Sequence, residues 1–222
     1  MNILLLTPLK IEFDSLILRL HELGFESIQS YVGKMKILEF PKLGWKCSVA
    51  GHGKAQFGIQ TQLLISHFKE IDLIICAGTA GSLLDQVSVF DVVVANRTIE
   101  HDFRLKFIKK NDPEFYGDQT QINKIKNKSF VNFKVHCGDI ASGDEDIVTA
   151  ERAFEIRAQT SAIAVAWEGA GAARASLYNH IPFLEVRGIS DSSNSATLND
   201  FSKNLKIVMS NVGDVLLCLE KY

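Results

Sequence analysis

The chain has 222 residues, 46% of them hydrophobic, and a formal net charge of −2 at pH 7. A chain of this length and composition buries a substantial core, so we predict one globular domain over residues 1–222. Its weakly acidic balance provides no basic field for a phosphate backbone. We therefore expect no nucleic-acid partner, which leaves a small molecule or another protein.

The apolar start of the chain, Met1–Leu6, is too short to span a membrane. Pro8 and Lys10 interrupt it long before the ~20 residues that a span needs. It also lacks the basic start and small-residue cleavage site of a signal peptide. The four cysteines form no CxxC pair and have no histidine at ligand spacing, so we interpret them as reduced thiols. These features predict a cytoplasmic protein without a membrane or metal partner.

Short apolar runs alternate with helical patterns along the chain. The first run, Ile3–Leu6, precedes an amphipathic pattern that continues to Gly24, which predicts a strand, a turn and a helix. Further strands are predicted at Ile71–Cys76, Val89–Ala95, Ser161–Trp167 and Pro182–Ile189. Further helices are predicted at Ala55–Lys69, Ile147–Gln159, Gly169–Asn179 and from Leu198 to Leu219. This alternation predicts an α/β layered fold with a mostly parallel sheet.

The segment Asn111–Asn132 departs from this pattern. It is rich in Lys, Asn, Gln and Asp and has few apolar residues at regular spacing. We interpret it as a surface excursion or a flexible loop, since such connections run over the outside of a domain.

Several common catalytic signatures are missing from the sequence. No GxGxxG follows the first strand, and neither GxxxxGK[ST], GxSxG nor HExxH occurs. We therefore expect no dinucleotide, no other cofactor, and no serine-hydrolase or zinc-hydrolase chemistry.

Three acidic residues stand just after apolar runs: Glu12, Glu168 and Asp191. Carboxylates at the carboxyl ends of strands point toward the crevice in which α/β proteins bind ligands. Each acid taken alone is also explained as an acid in the first turn of a helix. Three acids in equivalent places favour a shared site.

Two glycine-containing stretches follow strands in the same way. Gly51–Lys54 precedes a helix, and Ala77–Gly81 follows the run that ends at Cys76. Glycine allows backbone N–H groups to approach a ligand closely, so both stretches are candidate binding turns. Ordinary tight turns explain them as well.

Four strings of residues resemble one known superfamily in their order and spacing. They are CAGTAGSL at Cys76–Leu83, IASGD at Ile140–Asp144, VAWEGAGA at Val165–Ala172 and VRGISD at Val186–Asp191. The chain resembles the purine nucleoside phosphorylase and nucleosidase superfamily, and within it the methylthioadenosine/S-adenosylhomocysteine nucleosidases. The resemblance covers nearly the whole chain. It implies a single-domain three-layer α/β sandwich with a mixed, partly barrel-like central sheet flanked by helices, assembled as a homodimer.

The resemblance also implies roles for individual residues in cleaving a purine nucleoside. Glu12 activates the attacking water with help from Arg187 and Thr79, Glu168 holds the ribose hydroxyls, and Asp191 protonates or hydrogen-bonds the leaving purine. The predicted substrate-binding residues are Thr79, Ala80, Gly81, Asp146, Ile147, Trp167, Glu168 and Ser190. His101 and Asp102 match a family dipeptide to which we assign no catalytic role.

These roles agree with the chemistry of the reaction. Cleavage passes through an oxocarbenium-like sugar, which needs an acid at the leaving group, a base at the water and negative charge near the sugar. Asp191 needs a raised pKa, which a closed apolar site supplies, whereas Arg187 is expected to keep Glu12 ionised.

The sequence departs from the family pattern around the base and the sugar. Asp146 stands where the nucleosidases carry an aromatic residue, and it either accepts a hydrogen bond from the base or faces solvent. Trp167 replaces a methionine, and it either stacks on the ribose or packs in the core. Ser190, Ser192 and Ser193 orient Asp191 or cap the next turn. Candidates for an apolar pocket at the 5′ end of the substrate are Phe103, Phe107, Phe115 and Tyr116.

Four hypotheses about function follow. The first is hydrolysis of methylthioadenosine, adenosylhomocysteine or a nucleoside such as futalosine. Phosphorolysis is the main rival, although His52, Lys54 and a few scattered arginines make an incomplete phosphate cradle. A non-catalytic nucleoside binder would not need both a base and a leaving-group acid. An unrelated binding module would require four ordered matches by chance.

Overall fold

The computed structural model describes residues 1–107, 110–193 and 197–220, without the side chains of residues 197–201. The strands of the described chain are β1 Ile3–Thr7, β2 Ile28–Val32, β3 Met35–Phe40, β4 Trp45–Val49, β5 Leu73–Ser82, β6 Val92–Glu100, β7 Glu114–Tyr116, β8 Val135–Ser142, β9 Ala164–Ala166 and β10 Phe183–Asp191. Its helices are α1 Lys10–Glu22, α2 Lys54–His67, α3 Gln119–Lys126, α4 Ala150–Thr160, α5 Gly169–Tyr178 and α6 Thr197–Leu217.

One mixed sheet runs through the molecule in the order β10-β6-β8-β9-β5-β1-β4-β3-β2, with β7 paired to β6. Strand β10 also pairs with β5, which closes β10, β6, β8, β9 and β5 into a ring. The partly barrel-like sheet is therefore confirmed. The expectation of a mostly parallel sheet is wrong, because ring closure at β10–β6 and the consecutive strands β2, β3 and β4 pair antiparallel.

Helices cover both faces of the sheet, as the three-layer prediction requires. Along β1, Ile3 and Leu5 point into a cluster shared with α1 and α6, whereas Leu4 and Leu6 point into another shared with α2 and α5. Side chains alternate between the two faces of a strand, so β1 is apolar throughout because both faces are covered.

A third cluster fills the ring. Each of its five strands contributes to it, and its members are Ala80, Val87, Val93, Ala95, Ile140, Ala164, Ala166 and Ile189. Small side chains predominate on β5 and β9, which pair antiparallel at Gly81 and Ser82. Close approach of these strands brings the ends of β5, β9 and β10 together at one rim.

The terminal helix α6 confirms the predicted amphipathic pattern. Its described side chains bury Leu205, Val208, Val212 and Val215 against the sheet, while the predicted apolar positions Leu198 and Phe201 lie outside the described side chains. Among the described residues, no helix is both long and apolar enough to cross a membrane.

The segment Asn111–Asn132 is more ordered than the sequence predicts. It contains β7 and α3, and Asp118 caps α3 by accepting a hydrogen bond from the backbone N–H of Gln121 at 3.0 Å. The helix buries Ile122 and Ile125. The interpretation as a loop is wrong, because two apolar residues three positions apart suffice to anchor a short capped helix.

Candidate active site

The ends of β5, β9 and β10 surround a cavity of about 240 Å³. Every residue of the predicted site lines it: Glu12, Thr79, Ala80, Gly81, Asp146, Ile147, Trp167, Glu168, Arg187, Ser190 and Asp191. The cavity is also lined by residues outside the predicted catalytic and substrate-binding set, namely Pro8, Leu9, His52, Glu145, Val165, Ala166 and Ser193. The structure thus brings the predicted residues together, and their individual roles stay predictions.

Glu12 reaches the cavity from the first turn of α1. Its Oε1 accepts hydrogen bonds from the backbone N–H and the hydroxyl of Thr79, both at 2.7 Å, and its Oε2 accepts one from the N–H of Leu9 at 3.1 Å. It is therefore both a first-turn acid and a cavity residue. Burial raises the pKa of Glu12, and Arg187 and Thr79 only partly offset this. Arg187 acts in the expected direction, but burial outweighs it.

Arg187 lies on β10 with only 1% of its surface exposed. Its Nε donates to Oε1 of Glu185 at 2.8 Å, and its Nη2 faces Oε2 of Glu168 at 3.3 Å. Burial opposes the charge, but the surrounding acidic groups raise the pKa of Arg187 above its ordinary value. The guanidinium is thus a permanent cation between the carboxylates.

Glu185 is a buried partner that sequence reasoning missed. It is fully buried, and its second oxygen accepts a hydrogen bond from the hydroxyl of Thr98. A Cβ on Gly169 would lie 2.1 Å from its Oε2, so this position requires glycine. The sequence does carry a signal for this pair. Glu185 is a single acid inside the apolar run of β10, two residues before Arg187, and side chains at this spacing lie on the same face of a strand.

The stretch Ala77–Gly81 is part of β5, so the prediction of a turn there is wrong. The strand extends to Ser82 because β10 pairs with it in parallel along this stretch. A Cβ on Gly78 would lie 2.8 Å from Nη1 of Arg187 and 3.1 Å from Oε1 of Glu12. Glycine is needed here to admit the charged side chains.

Glu168 stands immediately before α5 and is 3% exposed. Its Oε1 faces the backbone N–H of Gly53 and Nδ1 of His52, each at 3.2 Å. The ring of His52 packs on that of Trp167 with centroids 4.2 Å apart. Trp167 is thus a half-buried wall of the cavity. In the sequence, His52 stood out as part of a glycine turn and of an incomplete phosphate cradle, not as a partner of Glu168.

Asp191 is the last residue of β10 and is largely buried. The hydroxyl of Ser190 donates to its Oδ2 at 2.7 Å, and the backbone N–H of Ser193 donates to its Oδ1 at 2.9 Å. Of the two roles left open for the flanking serines, Ser190 has that of orienting Asp191. A Cβ on Gly81 would lie 3.0 Å from Oδ1 of Asp191.

Three consecutive acids follow β8 and have different surroundings. Asp144 accepts a hydrogen bond from the N–H of Lys54 at 2.8 Å, and Glu145 pairs with Arg152 at 2.7 Å. Asp146 is exposed and lines the cavity. Ile147, the next residue, is buried.

The aromatic residues suggested for a 5′ pocket do not line the cavity of the described chain. Phe115 is buried in the cluster beneath α2 and α5, and Arg174 lies 5.3 Å from the ring centroids of both Phe103 and Phe115. Phe107 and Tyr116 are exposed. A contribution of these residues to a partner's site stays a prediction.

Comparison with known proteins identifies relatives that match most of the chain. The family model of the phosphorylase superfamily matches residues 30–219. A 5′-methylthioadenosine/S-adenosylhomocysteine nucleosidase of Staphylococcus haemolyticus is 30% identical over 186 residues, covering 79% of this chain and 78% of the relative.

Solved structures share the fold at lower identity. A nucleosidase of the same name from S. pneumoniae superposes with a TM-score of 0.85 at 23% identity, covering 99% of this chain and 98% of that one. Futalosine hydrolase of Helicobacter pylori gives a TM-score of 0.85 at 21% identity, covering 98% and 96%. The fold predicted from the sequence is thereby confirmed.

Proposed function

Because this chain belongs to the phosphorylase superfamily, we propose that its cavity hydrolyses the N-glycosidic bond of a purine nucleoside to a free base and a sugar. The observation that carries the proposal is that Glu12, Glu168 and Asp191 line one cavity with different partners. Three carboxylates held differently are able to serve the water, the sugar and the leaving base.

Glu12, Thr79, Glu168 and Arg187 form what we call the sugar end of the cavity. Glu168 accepts hydrogen bonds from the ribose hydroxyls, and its negative charge stabilises the oxocarbenium-like transition state. Glu12 takes a proton from the attacking water. Its raised pKa suits this task, because a carboxylate forced into a buried site gains affinity for a proton.

Asp146, Ile147, Ser190, Asp191 and Ser193 form the base end. Asp191 shares its proton with N7 of the purine, so the base leaves as a neutral molecule. The hydroxyl of Ser190 and the N–H of Ser193 hold the two oxygens of Asp191 in place, which orients the acid for in-plane contact with the purine ring.

Water is favoured over phosphate as the nucleophile by the partners of the nearby cations. The ammonium group of Lys54 is paired with Glu100 and Asp102, and Arg187 is paired with Glu185 and Glu168. A phosphate ion would have to compete with carboxylates that already hold these cations. Glu12 is a second carboxylate beside Glu168 at the sugar end, and its negative charge further opposes the binding of an anion.

The substrate class follows from the relatives and from the departures in this chain. The similar proteins are named for methylthioadenosine and adenosylhomocysteine, and one structural neighbour is named for futalosine. Asp146 and Trp167 alter the cavity at the base end and beside the sugar end respectively. We therefore propose a purine nucleoside with a 5′ substituent and include all three in the test.

We propose that the chain works as one domain within a cytoplasmic homodimer. A single sheet crosses the chain from β2 to β10, which supports one domain. Its four cysteines are free thiols, as is usual in a reducing compartment. Exposed apolar side chains on the adjacent helices α2 and α5, among them Ile59, Leu63 and Leu177, provide a surface for a second copy.

The test is to incubate the purified chain with adenosine, inosine, guanosine, methylthioadenosine, adenosylhomocysteine and futalosine, with and without phosphate. We expect free base and free sugar from at least one nucleoside, at a rate that phosphate does not change. Phosphate-dependent release of a sugar 1-phosphate would overturn hydrolysis. No release from any nucleoside would overturn the enzymatic role and leave a binding protein, which a titration of the same panel would detect.

A further inference from the structure

The turn between β4 and α2 holds one side chain, His52, between two glycines. Gly51 and Gly53 both have a φ of 82°, in the left-handed region where residues with a side chain are strained. The N–H of Lys54, just after the turn, is tied to Asp144 at 2.8 Å. The backbone on both sides therefore fixes where the imidazole points.

His52 contacts the oxygen of Glu168 that does not face Arg187. Oε1 of Glu168 accepts a hydrogen bond from the backbone N–H of Gly53 and lies 3.2 Å from Nδ1 of His52, while Oε2 faces Arg187. Arg187 divides its donors among Glu185, the carbonyl of Thr79, the thiol of Cys76 and Glu168. The orientation of the Glu168 carboxyl group thus depends on His52 as well as on the backbone.

The two partners differ strongly in exposure. The side chain of Glu168 is 3% exposed, whereas that of His52 is 50% exposed. The imidazole therefore covers the solvent side of Glu168. The imidazole ring also packs on the ring of Trp167. The carbonyl of Trp167 accepts a 2.6 Å hydrogen bond from the hydroxyl of Ser142, so Trp167 is anchored to β8.

We propose that His52 is a positioning residue, which donates its Nδ1–H to Oε1 of Glu168 and so aims that carboxylate at the ribose hydroxyls. The inference rests on the proposed function, in which Glu168 binds the sugar. The stack on Trp167 limits rotation of the imidazole and keeps Nδ1 toward Glu168. With Oε1 held by two donors, the remaining lone pairs of the carboxylate are presented to the substrate in one direction.

Two substitutions separate the hydrogen bond from the ring. His52→Asn places an amide N–H close to the position of Nδ1 but removes the ring. His52→Phe keeps a ring against Trp167 but removes the donor. A hydrogen bond to a charged group contributes enough that its loss lowers kcat/KM about 10- to 150-fold. We expect that loss in His52→Phe, and a kcat/KM in His52→Asn within about threefold of wild type.

A substrate without the ribose hydroxyls gives the decisive control. On the 2′,3′-dideoxy analogue of the best substrate, we expect His52→Phe and the wild-type chain to differ by less than about twofold, because Glu168 then has no hydroxyl to bind. Thermal unfolding of both variants confirms that they fold.

Three results would overturn this inference alone. They are an unimpaired His52→Phe, a His52→Asn variant as impaired as His52→Phe, and an equal loss on the dideoxy analogue. A wild-type chain that cleaves no purine nucleoside would instead overturn the proposed function, and this inference with it.

Discussion

The sugar end and the base end of the cavity are built in different ways. At the sugar end, Glu12, Glu168 and Arg187 are almost fully buried and hold one another through Thr79 and Glu185. At the base end, Asp191 is held by its neighbours Ser190 and Ser193, and Asp146 is exposed. Buried charges that depend on each other tolerate little change, whereas an exposed carboxylate is replaced at small cost. The sugar end therefore suits the bond-cleavage step, which is the same for every nucleoside, and the base end suits recognition of different bases.

The largest expected effect is that of removing the cation at the sugar end. Arg187→Met leaves Glu185 and Glu168 buried without their partner, so we expect a loss of about 3–5 kcal/mol in the free energy of unfolding, measured with urea. Arg97→Met is the matched control. Arg97 pairs with Asp139 and Glu114 at a partly exposed site, so it should lose no more than about 1 kcal/mol. Equal losses would show that the sugar end is not a special network.

Glu12→Gln is expected to slow turnover about 10²- to 10⁴-fold, as for loss of a general base. It should also stabilise the chain at pH 7. Folding raises the pKa of Glu12 above its ordinary value of 4.5, so the folded state binds a proton at Glu12 more tightly than the unfolded state does. This proton stabilises the fold fully below pH 4.5, and the stabilisation is lost as the pH rises through the folded-state pKa. At pH 7 the wild-type chain therefore carries the cost of a buried charge, which glutamine lacks.

Chemical denaturation at two pH values tests this sign. The stability advantage of Glu12→Gln over wild type should be present at pH 7 and shrink at pH 4. The control is Glu151→Gln, another first-turn helix acid but an exposed one, which should change neither rate nor stability. A Glu12→Gln variant less stable than wild type at pH 7 would show that its hydrogen bonds outweigh the cost of burial.

Asp191→Asn tests the base end. We expect it to lose as much turnover as Glu12→Gln but to keep the stability of the wild-type chain. We expect kcat to fall about 10²- to 10⁴-fold, because an amide has no proton to give to N7. Asparagine keeps one acceptor oxygen for the backbone N–H of Ser193, and the hydroxyl of Ser190, which also lies 3.4 Å from the carbonyl of Ala80, is able to turn and accept from the new amide N–H. Substrate affinity and thermal unfolding should therefore change little. A variant that keeps most of its activity would refute the assignment of Asp191 as the acid.

The smallest effect is expected at Asp146. A carboxylate only accepts hydrogen bonds, whereas an asparagine side chain also donates to an acceptor such as N1 of adenine. Asp146→Asn should therefore shift the ratio of kcat/KM toward adenine over hypoxanthine nucleosides by up to about tenfold, with stability unchanged. Asp144→Asn, whose carboxyl group is tied to Lys54, controls for loss of charge alone. An unchanged ratio would mean that Asp146 faces solvent only.

Much of the site was predictable because its residues occur in short strings. Glu12, Glu168 and Asp191 each stand at or just beyond the end of a strand, and the strings around Gly81, Ser142 and Arg187 identify the superfamily. These patterns are local in sequence, so they are recognisable without knowing which strands are neighbours in the sheet.

Tertiary structure alone decided the remaining features. The contact of Arg187 with Glu168, the contact of His52 with Glu168, and the antiparallel closure of β10 on β6 join residues or strands whose proximity depends on the sheet. The sequence does not show which distant group a buried charge pairs with. An apolar run also does not show whether the neighbouring strand is parallel or antiparallel to it. By itself, the sequence determined five of the ten strands and five of the six helices of the described chain, and which acids stand at their ends. The closed sheet determined which of them meet, because pairing and burial are properties of the assembled layers.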